Sequence, residues 1–148
     1  MKYLFTIIFS FIAFLFVLFC SFDLSFLETL NVPFFMPSSF CFKICNLLNI
    51  LFNFLFLLNI IKNDYQSKTL WTENIITIIL NTALFFTLFI LKNIGLSVII
   101  ELLAFSSGLS YCSEIAKIKE KDTSYLTFYL LWSLYLAISL FTLFLLNS

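Results

Sequence analysis

Five apolar stretches, 3–22, 44–61, 75–91, 96–113 and 125–146, occupy most of a 148-residue chain and leave little over for a water-soluble domain. At 1.5 Å rise per residue, helices of these lengths reach roughly 26–33 Å, the thickness of a bilayer's hydrocarbon core. Only 96–113 carries a charge, Glu101. Hydrocarbon offers no partner to a free backbone N–H or C=O, so each stretch is expected to be a membrane-spanning helix. The predicted fold is therefore an all-α integral membrane protein. It forms a single five-helix transmembrane bundle over 1–148, with helices at about 3–22, 41–61, 75–91, 96–113 and 125–146. A long first connection, 23–40, is expected to fold back over the bundle as a lid.

The chain is 62% hydrophobic and 11% charged, with two glycines and two prolines, which excludes disorder and an ordinary soluble domain. Eight lysines balance eight acidic residues and there is no arginine, so no basic surface points to nucleic acid. The absence of histidine removes the commonest metal ligand and the commonest general base. No nucleophile–base pair, Gly-rich phosphate loop or carboxylate pair is present. No catalytic residue, metal ligand or required cofactor is expected. The four cysteines lack zinc-type spacing and read as small apolar packing residues, although Cys41 and Cys45 stand one helical turn apart. The first stretch is longer than a signal-peptide core and lacks an A-x-A-like site, so it is expected to be a retained span.

With five spans, one side of the membrane collects Lys2, Lys62, Lys68, Lys117, Lys119 and Lys121. The other collects only Lys43 and Lys92 beside Asp23 and Glu28. The positive-inside rule then places the N-terminus in the cytoplasm of a bacterial-type membrane, with an organelle membrane as the other setting. The short link 92–95 predicts that the third and fourth helices are antiparallel neighbours. The segment 64–74 reads as a polar loop with an interfacial Trp71.

Polar residues inside the spans are the natural site candidates. Asn46, Asn49 and Asn53 form one stripe on the second helix, either helix-packing contacts or the lining of a cavity, and Asn81 in the third helix invites the same two readings. Glu101, about 8 Å into its helix, is a candidate for proton or ligand coupling, although at that depth it can reach the headgroups. Ala104, Gly108 and Cys112 recur every four residues, a seam suited either to packing within the bundle or to a homodimer.

Two segments together resemble a known family. The run Glu28-Thr29-Leu30-Asn31-Val32-Pro33-Phe34-Phe35-Met36-Pro37-Ser38-Ser39-Phe40-Cys41-Phe42 is similar to the loop-to-helix-two signature of the TspO/MBR family, the tryptophan-rich sensory proteins that include the translocator protein. Leu30, Pro33, Pro37 and Phe42 match, and Phe26, Phe35 and Phe40 stand where the family has Trp. Tyr129-Leu130-Leu131-Trp132-Ser133 is similar to the family's P-Y-x-x-W in helix five. Leu80-Asn81 with Leu88-Phe89 resembles its helix-three motif. Asn46 and Leu84 replace family tryptophans, and Ser38 replaces a proline.

The resemblance implies a lid-covered pocket that binds a flat lipophilic ligand, a porphyrin or haem and, less directly, a sterol-like molecule. The binding set would be Phe35, Phe40, Asn46, Ile50, Asn81, Leu84, Trp132 and Leu136, with membrane lipid around the bundle. Aromatic rings would stack on the ligand, and amides would orient it. Two other classes stand beside this receptor or carrier: a small ion- or proton-coupled transporter centred on Glu101, and a ligand-free membrane assembly subunit.

Overall fold

A computed structural model describes residues 2–19, 25–62, 68–118 and 124–148. It contains five α-helices: α1 (Lys2–Phe19), α2 (Ser39–Lys62), α3 (Lys68–Phe85), α4 (Ile94–Ile118) and α5 (Ser124–Leu146). No strand occurs among the described residues. Four helical stretches, Phe40–Leu58, Thr69–Ile90, Ile94–Lys117 and Leu126–Leu146, are long and apolar enough to cross a membrane. The all-α, multi-pass membrane architecture follows. The described apolar part of α1, Thr6–Phe19, is shorter than these four.

Inter-helix contacts close a ring in the order α1, α2, α5, α4, α3, and α2 also touches α3 across it. Side chains sort by what they face. Phe11, Ile12, Ile79, Leu103, Ile138 and Phe141 point outward, while Asn46, Asn49, Asn53, Asn74, Thr77 and Asn81 are all buried. A soluble helix would do the reverse. In lipid the outer face needs no polar group, and an amide turned outward would lose its hydrogen bonds.

Two of the helices are longer than their apolar runs. The segment 64–74 was expected to be a loop, but α3 already starts at Lys68 and carries Trp71 half-buried within it. The polar residues there pair with neighbouring helices rather than with water. The Asn74 amide donates to the Tyr111 hydroxyl (3.1 Å) and to the Asn53 carbonyl (3.4 Å), while Ser107 and Ser110 donate to the Glu73 carboxylate (3.2 and 2.9 Å). Likewise α4 runs on to Ile118 because Tyr111 and Ile115 are buried against Leu70 and Leu126.

The α3–α4 link is as tight as its length requires. The last turn of the third helix, Phe86–Ile90, widens to a π-helix, in which Thr87, Leu88 and Phe89 are all buried. Lys92 then adopts a left-handed conformation (φ 53°), and Asn93 caps α4 by accepting the Leu96 N–H at 3.0 Å. Leu84, Phe85, Leu88 and Phe89, paired at four-residue spacing, all turn into one core.

The small-residue seam of α4 is occupied from within the molecule. The Tyr129 hydroxyl of α5 donates to the Ala104 carbonyl at 2.9 Å, and its ring lies flush on Gly108. A Cβ at Gly108 would stand 2.4 Å from Tyr129 Cε1 and 3.0 Å from Leu130 Cδ2. Because its hydroxyl is anchored, the ring has nowhere to swing. Gly108→Ala should therefore destabilise the bundle by about 1–3 kcal/mol, read as a lowered thermal midpoint in detergent. The double variant Gly108→Ala/Tyr129→Leu should regain much of the loss. An unchanged midpoint for the single variant would show that α5 does not sit on this seam.

Candidate functional site

The site is built from the start of α2. Pro37 lies two residues before the helix. Ser38 then caps the helix, its hydroxyl accepting the Cys41 N–H at 3.3 Å. From that start Phe42, Asn46, Asn49, Ile50 and Asn53 fall on the inward face. The Asn46 and Asn53 amides donate back to the carbonyls one turn earlier, Phe42 and Asn49, at 2.8 and 2.9 Å. These local bonds leave Asn46 Oδ1 and both polar atoms of Asn49 buried without a partner.

Phe42 is the hub of an aromatic cluster. Its ring centroid lies 5.4 Å from Phe85, 5.2 Å from Phe89 and 6.3 Å from Trp132, and Trp132 lies 5.6 Å from Tyr135. Edge and tilted geometries dominate, as ring quadrupoles favour. Ile50, Leu84 and Leu136 complete the same core. The indole Nε1 of Trp132 is buried and has no acceptor. Trp132 Nε1 in this aromatic cluster, and Asn46 Oδ1 with both polar atoms of Asn49 on the buried face of α2, are thus without partners.

The first connection closes over this end of the bundle. It begins with a 3₁₀ turn, Ser25–Thr29, and bends at Pro33–Met36, where the Met36 N–H meets the Pro33 carbonyl at 3.0 Å. Three hydrogen bonds tie it to α5 and the residue just beyond it. Asn31 and Asn147 exchange two, N–H to Oδ1 at 2.9 Å and Nδ2 to O at 3.1 Å, and the Tyr135 hydroxyl donates to the Phe35 carbonyl. Leu27 and Pro33 are buried, Phe26 and Met36 pack on the core, and Lys92 Nζ sits 5.8 Å above the Phe26 ring. Phe34 stands at the tip of the bend, 99% exposed. The lid is described from residue 25 onward; 20–24 lie outside the described residues.

Of the residues implied by the resemblance, Ile50, Leu84, Trp132 and Leu136 share one core, and Asn46 lies on the buried face of α2 one turn after Phe42. Phe35 is half-buried under the Tyr135 tether. Phe40 points outward and is 72% exposed, because it lies two residues, about 200°, from the inward Phe42. Phe42 takes the position expected of Phe40. Asn81 belongs to a different polar group, described next. Under the lid the described apolar side chains pack against one another. A cleft of about 180 Å³ opens instead between α1 and α2, lined by Ser10, Phe14, Ile50 and Phe54 among others. That is smaller than the roughly 300–1,000 Å³ of a typical ligand pocket.

Glu101 turns into the bundle rather than outward. Its helix starts at Ile94, the residue is 2% exposed, and Ser133 Oγ donates to Oε1 at 2.5 Å from the middle of α5. The Tyr129 side chain lies near both the Glu101 carboxylate and the Asn81 side chain. Asn81 in turn donates to the Thr77 carbonyl at 2.8 Å. A polar group from α3, α4 and α5 therefore crosses the middle of the bundle. Tyr129 and Ser133 stand inside the helix-five motif yet carry no role in the sequence reading, and Glu73 was placed in a loop. Their partners lie 25 to 37 positions away, beyond the reach of any local pattern.

Removing the Ser133 hydroxyl strips Glu101 of its hydrogen-bond donor, so Ser133→Ala should cost about 1–3 kcal/mol of stability. Glu101→Gln keeps an acceptor for Ser133 and should cost less. Thermal unfolding in detergent checks the order, and an unchanged midpoint for Ser133→Ala would mean that the Ser133–Glu101 bond contributes nothing. Comparison of the chain with protein-family models, with curated protein sequences and with solved structures finds no match.

Proposed function

We propose that this protein is a TspO-like membrane receptor or carrier for a flat lipophilic ligand of the porphyrin class, with haem and sterol-like molecules as related candidates. The observation that carries the reading is the tethered lid seated over an aromatic core whose Trp132 Nε1 and Asn46 Oδ1 are buried without partners. Buried polar atoms are ordinarily satisfied, and unsatisfied ones mark a place where something else supplies the bond. A macrocycle fits the need. Its faces would stack on Phe42 and Trp132, and its polar edge would meet the free donor and acceptor. The likeness of 28–42 and 129–133 to the family signatures points the same way. With no histidine in the chain, the ring rather than any central iron would be recognised. On this reading all five helices cross a bacterial-type cytoplasmic membrane with the N-terminus inside. Tetrapyrrole handling or a stress response is the setting.

In this packed state the lid must lift and Trp132 must turn before a macrocycle enters. Each tether contributes about 0.5–1.5 kcal/mol. Tyr135→Phe removes one tether and should raise the association rate of protoporphyrin IX about 2- to 12-fold. Quenching of intrinsic tryptophan fluorescence reads both rate and affinity. Wild type should bind at micromolar concentration, and Trp132→Ala should abolish most of that affinity. If wild type neither quenches nor shifts the Soret band of protoporphyrin IX or haem, the reading fails.

A second reading rests on a separate observation, the buried Glu101 hydrogen-bonded to Ser133 in the middle of the bundle. An intramembrane acid is a natural station for a proton or small cation. On this reading the protein is a small coupled transporter, and Glu101→Gln should abolish pH-dependent flux in proteoliposomes. Flux that is unchanged in Glu101→Gln removes it.

A further inference from the structure

The two cysteines at the junction of lid and bundle are in sulfur–sulfur contact. Cys41 and Cys45 lie one turn apart on α2 with their sulfurs 4.0 Å from each other. Cys41 is exposed and Cys45 half-buried, so the pair opens toward the surface at the helix start. The Cys41 N–H is held by the Ser38 cap, which fixes the backbone of this turn against the lid. Between them on the chain, Phe42 points inward to the aromatic cluster.

We propose that Cys41 and Cys45 form a two-coordinate site for a soft monovalent metal ion, Cu(I) or Ag(I). Two metal–sulfur bonds of about 2.3 Å laid end to end span about 4.6 Å. The observed separation reaches that value with a small rotation of each side chain about χ1. Ligand number selects the metal. No group of three or more His, Cys, Asp or Glu placed to hold a metal occurs among the described residues. Zinc, which takes four ligands in structural sites, is therefore poorly served, whereas soft thiolate pairs favour Cu(I). Binding releases the two thiol protons, forms two metal–sulfur bonds and changes no oxidation state. The bound ion clamps the first turn of α2 and with it Phe42, the hub of the core under the lid. This inference does not depend on the ligand proposed for that core.

The test is Cu(I) uptake by the purified full chain in detergent under reducing, oxygen-free conditions, in competition with bicinchoninate. Wild type should retain one Cu(I) per chain, with two sulfur neighbours by X-ray absorption. A Cys20→Ser/Cys112→Ser variant should retain it equally. Cys41→Ser and Cys45→Ser should each abolish uptake, and Zn(II) should not be held. The proposal is overturned if wild type takes up no Cu(I) against the competitor. Undiminished uptake by the Cys41→Ser/Cys45→Ser double variant overturns it too.

Discussion

Hydrocarbon cannot hydrogen-bond a polar group, and everything else in this structure depends on that constraint. The described amides and the Glu101 carboxylate in the spans turn inward, and the inner faces of α2, α3, α4 and α5 are polar accordingly. Most of these groups find partners on another helix or one turn back on their own. Asn74 meets Tyr111, Ser133 meets Glu101, and Asn46, Asn53 and Asn81 bond to carbonyls four residues earlier. A few do not. Atoms of Asn46, Asn49, Asn74, Thr77 and Trp132 remain buried without a partner.

The same constraint organises the bundle into two levels. At the lid end, aromatic rings fill the centre and polar handles are few. Toward the other end, Tyr111, Tyr129 and the asparagines weave α2, α3, α4 and α5 together, and Tyr129 occupies the groove that Gly108 leaves on α4. Buried polar atoms without a partner occur at both levels, on Asn46, Asn49 and Trp132 and on Asn74 and Thr77. The lid is held over the upper level by three hydrogen bonds and two buried apolar side chains.

Much of this was legible in the residues themselves. The apolar runs place the helices, the 3–4 spacing of Asn46, Asn49 and Asn53 marks the buried face of α2, and the two prolines mark the lid. Three features were not. Polar Glu73 and Asn74 look like loop residues because their partners, Ser107, Ser110 and Tyr111, are more than thirty positions away. The π-turn at Phe86–Ile90 alters helical phase without any proline or glycine to announce it. Phe40 looked like the aromatic anchor through resemblance alone. Helical phase counted from the Ser38 cap would have chosen Phe42, since Phe42, Asn46 and Asn49 share a face and Phe40 does not.

The central claim is that the lid covers a core able to open for a flat ligand. Hydrogen–deuterium exchange of the backbone amides of 25–38, in nanodiscs with and without saturating protoporphyrin IX, addresses it most directly. The account predicts measurable exchange through lid opening in the free protein, with marked slowing confined to the lid and the first turns of α2 when the porphyrin is present. Exchange in the lid that is identical with and without porphyrin would contradict it.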